Sequence, residues 1–152
     1  MSYNLFGSST LKEHPQKAYN VFKAIRLANP DILGAQEVDG MEQVVVANLG
    51  QDYAVAGPAN AGHAIIYRTS VFNLEAYGSV KLNEMDRIVT PNLKTQFNDH
   101  HSLISGTVAF ARFNHVTTGR QVDVFNTQLC LCDEELLLAS AKIVIDTIVK
   151  HR

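Results

Sequence analysis

The stretch that decides the fold is Pro30-Asp31-Ile32-Leu33-Gly34-Ala35-Gln36-Glu37-Val38. From Ile32 to Ala35 it is nearly continuously apolar, which predicts a strand covered on both faces. Gln36 and Glu37 follow at the carboxyl end of that strand. A carboxylate in such a place is costly unless it is paired with a cation, hydrogen-bonded or bound to a metal. Glu37 therefore needs a partner, and a salt bridge to a lysine or arginine is the simplest one.

Helix and strand patterns surround this stretch. Pro15 begins a helical pattern that ends before Asn29-Pro30, a second helix ends at Gly50, and a third begins at Asp133. Further strands are predicted at Met1–Phe6, Tyr53–Ala56, His63–Arg68, Phe72–Tyr77, Leu103–Phe113 and Gln121–Thr127, and a long loop at Asn83–His101. Side chains expected to be buried under the sheet are Phe22, Ile25, Val44 and Val144. Helices between the early strands and a meander of later ones indicate an α/β fold, a mixed sheet with helices packed on one face.

The composition fits a single globular unit. The 152 residues are 46% hydrophobic and 18% charged, which argues against disorder and against a coiled coil. A formal net charge of -2 provides no overall positive field for a nucleic-acid backbone. No apolar stretch approaches the about 18 residues of a membrane span, so no transmembrane segment is predicted. Cys130 and Cys132 are too few for a disulfide framework and do not fix the compartment, so the localisation stays open.

Four blocks of sequence occur in an order and at a spacing typical of one enzyme family. They are Ser2-Tyr3-Asn4-Leu5, then Pro30 to Val38, then His63-Ala64-Ile65-Ile66-Tyr67-Arg68, then Thr118-Gly119-Arg120 leading into Val124-Phe125-Asn126-Thr127-Gln128-Leu129. Together these blocks resemble the endonuclease/exonuclease/phosphatase family, and the block from Pro30 to Val38 is the most specific. The resemblance implies a metal-dependent phosphoester hydrolase built as an α/β sandwich, in which two sheets pack together under outer helices.

The resemblance also implies roles for individual residues. Glu37 matches the family's metal-ligating glutamate, for Mg²⁺ or Mn²⁺, and a hard cation of this kind prefers carboxylate oxygen and keeps several waters. Asn4 matches the asparagine that binds the substrate phosphate, and Asn126, Gln128 and His63 are the candidate catalytic residues around that phosphate. The implied reaction is in-line attack of water on phosphorus without a covalent intermediate.

Two of these positions depart from the family pattern. Gln128 stands where the family has a histidine, and an amide donates a hydrogen bond but does not exchange a proton near neutral pH. General-acid catalysis from this position is therefore in doubt, although phosphate binding is not. His63 lies where many members carry a glutamate and could supply a titrating group. A histidine at a strand entry that bonds only to backbone is the alternative.

The resemblance covers about the first half of the family's domain, so residues 1–152 are expected to form a partial, truncated domain. The Gly-Asp-Phe-Asn and Ser-Asp-His motifs of the second half are absent from these residues. Whether this chain is itself an enzyme stays open. It is a phosphodiesterase or nuclease-like hydrolase, or alternatively a non-catalytic remnant or binding half-domain. A nucleic acid, an inositol phosphate or a phospholipid headgroup would fit as substrate, and an exposed sheet face is expected to favour self-association.

Overall fold

The computed structural model describes residues 1–7, 12–38, 40–57, 62–82, 107–129 and 134–150. The elements in these ranges are β1 (Ser2–Asn4), α1 (Pro15–Ala28), β2 (Ile32–Gln36), α2 (Glu42–Leu49), β3 (Tyr53–Ala56), β4 (His63–Arg68), β5 (Phe72–Lys81), β6 (Thr107–His115), β7 (Gln121–Asn126) and α3 (Glu134–Lys150). The predictions for Cys130, Cys132, Asp133 and the loop Asn83–His101 lie outside the described residues.

The strands form two sheets. Sheet A has the order β1-β2-β4-β3, and sheet B has the order β5-β6-β7. β1 runs parallel to β2, and every other pair of neighbours is antiparallel. The chain crosses from β1 to β2 through α1, because two parallel strands cannot be joined by a tight hairpin. β2 therefore lies inside its sheet, between β1 and β4, as its apolar run predicts.

The core lies on both faces of sheet A. On one face, α1 and α2 pack against it through Val21, Phe22, Ile25 and Val45, which meet Leu33, Ala35, Ala64 and Ile66 of the strands. On the other face, Ile65 and Tyr67 pack against Ala109, Ala111 and Phe113 of sheet B. The rings of Tyr67 and Phe113 are 4.9 Å apart between centroids. The α/β fold predicted from the sequence is confirmed, with two sheets packed face to face and helices on the outer face of sheet A.

The expected core positions are confirmed in α1 and wrong in α2. Phe22 and Ile25 are buried, whereas Val44 is 45% exposed and its neighbour Val45 is fully buried. Successive helical residues point about 100° apart. In this short helix, that rotation places Val45 against the sheet and turns Val44 outward. Val144 of α3 is partly buried.

The third helix carries apolar side chains on its outer side. Leu138, Ile145 and Val149 are exposed, whereas Ser140 and Thr147 are buried. The facing sides of the two sheets cover each other, and nothing among the described residues supports the self-association that was expected from an exposed sheet face. None of the described helices is long and apolar enough to cross a membrane.

Candidate functional site

The predicted site residues meet at one end of the sandwich. Asn4 is the last residue of β1, Glu37 directly follows β2, and His63 is the first residue of β4. Because β1 is parallel and β4 antiparallel to β2, these three positions lie side by side, and His63 pairs with Gln36. Gln128 arrives from sheet B, just after the end of β7. The site is therefore formed where the two sheets come together.

The carboxylate of Glu37 is bound by two side-chain amides. Asn4 Nδ2 donates to Glu37 Oε1 at 2.7 Å, and Gln128 Nε2 donates to the same oxygen at 2.9 Å. The ion pairs found among the described residues do not involve Glu37. Within that part of the chain, amide hydrogen bonds satisfy this carboxylate, rather than the salt bridge that the sequence suggested as the simplest partner.

These contacts keep Glu37 charged. The hydrogen bond from Asn4, and next the one from Gln128, hold the pKa of the Glu37 carboxyl below its ordinary value. Burial acts in the opposite direction, and the charges of His63 and Lys17 lower the pKa further. A carboxyl with a lowered pKa is an anion at neutral pH, which is the form that binds a cation.

Glu37 and Phe6 have unusual backbone conformations. Their φ angles are 55° and 64°, in the left-handed region that costs a non-glycine residue about 1–2 kcal/mol. Local hydrogen bonds hold both: the Phe6 N–H donates to Asn4 Oδ1 at 2.7 Å, and the Gly7 N–H donates to the Glu37 carbonyl at 3.1 Å. Asn4 thus holds Glu37 through its amide nitrogen and the adjoining turn through its oxygen.

His63 contacts the backbone of the facing segment. Its Nε2 accepts the backbone N–H of Gln128 at 3.2 Å, so a neutral ring carries its proton on Nδ1. That Nδ1 is buried and has no hydrogen-bond partner among the described residues. The backbone contact matches the alternative considered from the sequence, while the ring remains close enough to Glu37 to lower the pKa of that carboxyl.

Asn126 lies deeper than the other predicted residues, with 5% of its surface exposed. Its Nδ2 donates to the carbonyls of Ala35 and Ala64, each at 2.9 Å, and its Oδ1 accepts from Gln36 Nε2 at 2.6 Å. The side chain therefore points from β7 into sheet A. Gln36, which shares this network, was given no role from the sequence. Its position in the sequence, at the end of a buried strand and directly before Glu37, could have indicated that Gln36 lies at the site.

Among the side chains of this site, Glu37 is the carboxylate that could bind a metal ion. Glu37 provides an oxygen ligand of the type that Mg²⁺ and Mn²⁺ prefer. Across the described ranges, no group of three or more histidine, cysteine, aspartate or glutamate side chains could hold a metal ion. The residues present thus fit a cation that is bound through one carboxylate and completes its shell with water, which is common for Mg²⁺.

Neither the protein-family models nor the curated proteins contain a match to this sequence. Solved structures do match. An endonuclease/exonuclease/phosphatase family protein from Bacteroides thetaiotaomicron has a TM-score of 0.73 and 23% identity, over 98% of this chain and 56% of that chain. A mannosyl-6-phosphatase from the same species has a TM-score of 0.72 and 22% identity, over 98% and 58%. D. rerio TDP2 complexed with a single-strand DNA product has a TM-score of 0.71 and 15% identity, over 99% and 54%.

These likenesses establish the fold. The chain spans just over half the length of the three solved structures, 54% to 58%. This chain has the sandwich fold of these structures, the first of which is an endonuclease/exonuclease/phosphatase family protein, the family that the sequence blocks resemble.

Proposed function

We propose that this chain belongs to a metal-dependent phosphoester hydrolase domain, of which residues 1–152 form a part, and that it acts by attack of water on phosphorus. The observation that carries the proposal is the Glu37 carboxylate, kept ionised between two amides at the end of the sandwich. The shared fold with phosphoesterases supports it. The second candidate, a non-catalytic remnant or binding half-domain, is favoured by Gln128, which stands where the family has a histidine.

In this proposal Glu37 is the protein ligand of Mg²⁺ or Mn²⁺, and the bound ion supplies a Lewis acid for the phosphoryl group. Asn4 binds the substrate. Its amide nitrogen has two N–H groups, and among the described residues one of them is used, on Glu37. The other is able to donate to a phosphoryl oxygen. Because Asn4 also holds the turn at Phe6, its amide is fixed before substrate arrives.

Gln128 and His63 divide two tasks. Gln128 is exposed and donates hydrogen bonds, so it orients the phosphate without exchanging a proton. Of these side chains the imidazole of His63 is the one that can take up and release a proton in general acid–base catalysis, so proton transfer is assigned to its Nε2, which accepts the Gln128 N–H in this structure. Asn126 contributes by position rather than by contact with substrate, because its amide is already bound to sheet A.

The substrate class is a phosphoester. One matched structure is a phosphatase of a mannosyl phosphate and another holds a DNA product. For this chain a nucleic acid, an inositol phosphate and a phospholipid headgroup are the candidates. The net charge of -2 gives no general attraction to a polyanion, so a nucleic acid would have to bind through local contacts.

The test is hydrolysis of bis(p-nitrophenyl) phosphate, with Mg²⁺ or Mn²⁺, by the complete domain of which residues 1–152 form a part. Glu37→Gln keeps the side-chain shape and should lower the rate by about 100-fold or more, because the metal and its charge stabilisation are lost together. The matched control is Asp31→Asn, the same acid-to-amide change just before β2, at a side chain that is 59% exposed. It should leave the rate unchanged.

Two results would contradict the hydrolase proposal. One is full activity of the Glu37→Gln variant, and the other is full activity in excess chelator. A folded complete domain that binds Mn²⁺ or a phosphoester through Glu37 but hydrolyses nothing would favour the non-catalytic alternative.

A further inference from the structure

A buried polar contact joins the two sheets directly beneath the site. Gln36 of β2 and Asn126 of β7, here called the inter-sheet amide pair, are 7% and 5% exposed. Gln36 Nε2 donates to Asn126 Oδ1 at 2.6 Å and also to Ser2 Oγ at 3.0 Å. The pair therefore links β7 of sheet B to β2 and β1 of sheet A. The Asn126 amide uses both its N–H groups and its oxygen, and a buried amide satisfied in this way helps to specify one arrangement of the surrounding elements.

The apolar run of β2 contains a glycine that makes room for this pair. A Cβ atom at Gly34 would stand 3.0 Å from Asn126 Oδ1 and 3.2 Å from its Cγ. Both distances are tighter than about nine in ten real Cβ contacts. The hydrogen at residue 34 thus lets the Asn126 side chain reach the carbonyls of Ala35 and Ala64.

The pair stands next to the Glu37 carboxylate and the Gln128 amide, the two groups of the site that come from different sheets. Gln36 immediately precedes Glu37, and Asn126 comes two residues before Gln128. The contact between Glu37 and Asn4 lies within sheet A, because β1 and β2 are hydrogen-bonded neighbours. The contact between Glu37 and Gln128 crosses from one sheet to the other. Its length therefore depends on how the two sheets are held at this end.

We propose that the inter-sheet amide pair is the positioning element of the site: it sets the spacing between the Glu37 carboxylate and the Gln128 amide. The catalytic consequence rests on the proposed function, but the spacing itself does not. Asn126 adds two buried hydrogen bonds to sheet A, at the carbonyls of Ala35 and Ala64. Outside the pair, a further tie reaches the same segment, from the Gln128 N–H to His63 Nε2 at 3.2 Å. That tie is exposed and longer than the 2.6 Å contact of the pair, so the buried pair determines the geometry.

The test reads the side-chain amide signals of Gln128 and Asn4 by NMR in the isotope-labelled chain. Both amides donate to the same carboxylate oxygen, but Asn4 does so from within sheet A. Gln36→Met removes the donor of the pair at nearly constant volume, and Gly34→Ala presses on Asn126 alone. Ser2→Ala is the matched control, because it removes a different contact of Gln36 and leaves the pair intact.

In both test variants the Gln128 amide should lose its hydrogen-bonded shift, and its exchange with water should become about fivefold faster, as the loss of one net hydrogen bond predicts. The Asn4 amide should stay unchanged, and Ser2→Ala should alter neither signal. General loosening of the fold would instead move both amides together and overturn the proposal. An unchanged Gln128 signal would also overturn it.

If the test variants fail to fold, the unsubstituted chain still provides a test. In the unsubstituted chain, heating should accelerate exchange of the Asn126 and Gln128 side-chain amides together and that of Asn4 at a higher temperature. Independent behaviour of Asn126 and Gln128 would overturn the proposal. None of these measurements uses substrate or metal, so the pair can prove to position Gln128 even if the chain hydrolyses nothing.

Discussion

Replacing Asn126 with alanine should destabilise the fold strongly. The substitution removes three hydrogen bonds from a side chain that is 5% exposed. It leaves two carbonyls, of Ala35 and Ala64, and the Gln36 amide without that partner. Each buried polar group left unsatisfied costs about 1–3 kcal/mol, and water entering the vacated space offsets part of this. The expected loss is about 3–5 kcal/mol, a large share of the usual stability of about 5–15 kcal/mol.

Asn114→Ala is the matched control. It is the same chemical change in sheet B, at a side chain whose amide donates to Glu75 on the exposed side. Surface changes of this kind usually cost less than about 0.5 kcal/mol. Urea denaturation followed by circular dichroism measures both variants, provided that the dependence on denaturant concentration is unchanged. If Asn126→Ala costs no more than Asn114→Ala, the buried network contributes nothing and the reasoning is wrong.

Two further predictions concern the two ends of sheet A. The pKa of Glu37, measured from its carboxyl carbon by NMR, should lie below its ordinary value and rise towards it in Asn4→Ala; an unchanged pKa would contradict the assigned cause. Because the folded-state pKa is the lower one, the stability that Glu37 contributes is present above the unfolded-state pKa and is lost as the pH falls through the folded-state pKa. At the opposite end, Arg68 donates to Asp31, Asn29 and Tyr53, so Arg68→Lys should cost about 1–2 kcal/mol in urea denaturation, because an ammonium does not reproduce these directions. If Arg68→Lys lowers the free energy of unfolding no more than Asp31→Asn does, the contacts of Arg68 with Asn29 and Tyr53 contribute nothing beyond the ion pair with the exposed Asp31.

The fold was predictable because its deciding signals are local. The run from Ile32 to Ala35 can be covered on both faces only inside a sheet, and Pro15 and Asn29-Pro30 mark the limits of α1. Burial within α2 was less predictable. In a helix of eight residues with three consecutive valines, hydrophobicity alone does not say which one faces the sheet.

The site was predictable in part for the same reason. Glu37 needs a partner because it ends a buried strand, but its two amide partners come from residues 33 and 91 positions away. No spacing along the chain contains that information. The resemblance placed Asn126 near the phosphate, whereas its buried amide shows how the second sheet is attached to the first. The role of Gly34 in making room for Asn126 was not predictable either, because the sequence does not show which side chain faces a glycine within a strand.

The left-handed backbone at Glu37 sets local strain against retention of the carboxylate. Glycine adopts this conformation without a steric penalty, so a glycine at residue 37 would relieve strain while removing the carboxylate. Under the proposed function, a screen for heat resistance alone that selected glycine at this position would yield a protein without its metal ligand. Thermostabilised versions of the chain should be engineered with that residue held constant.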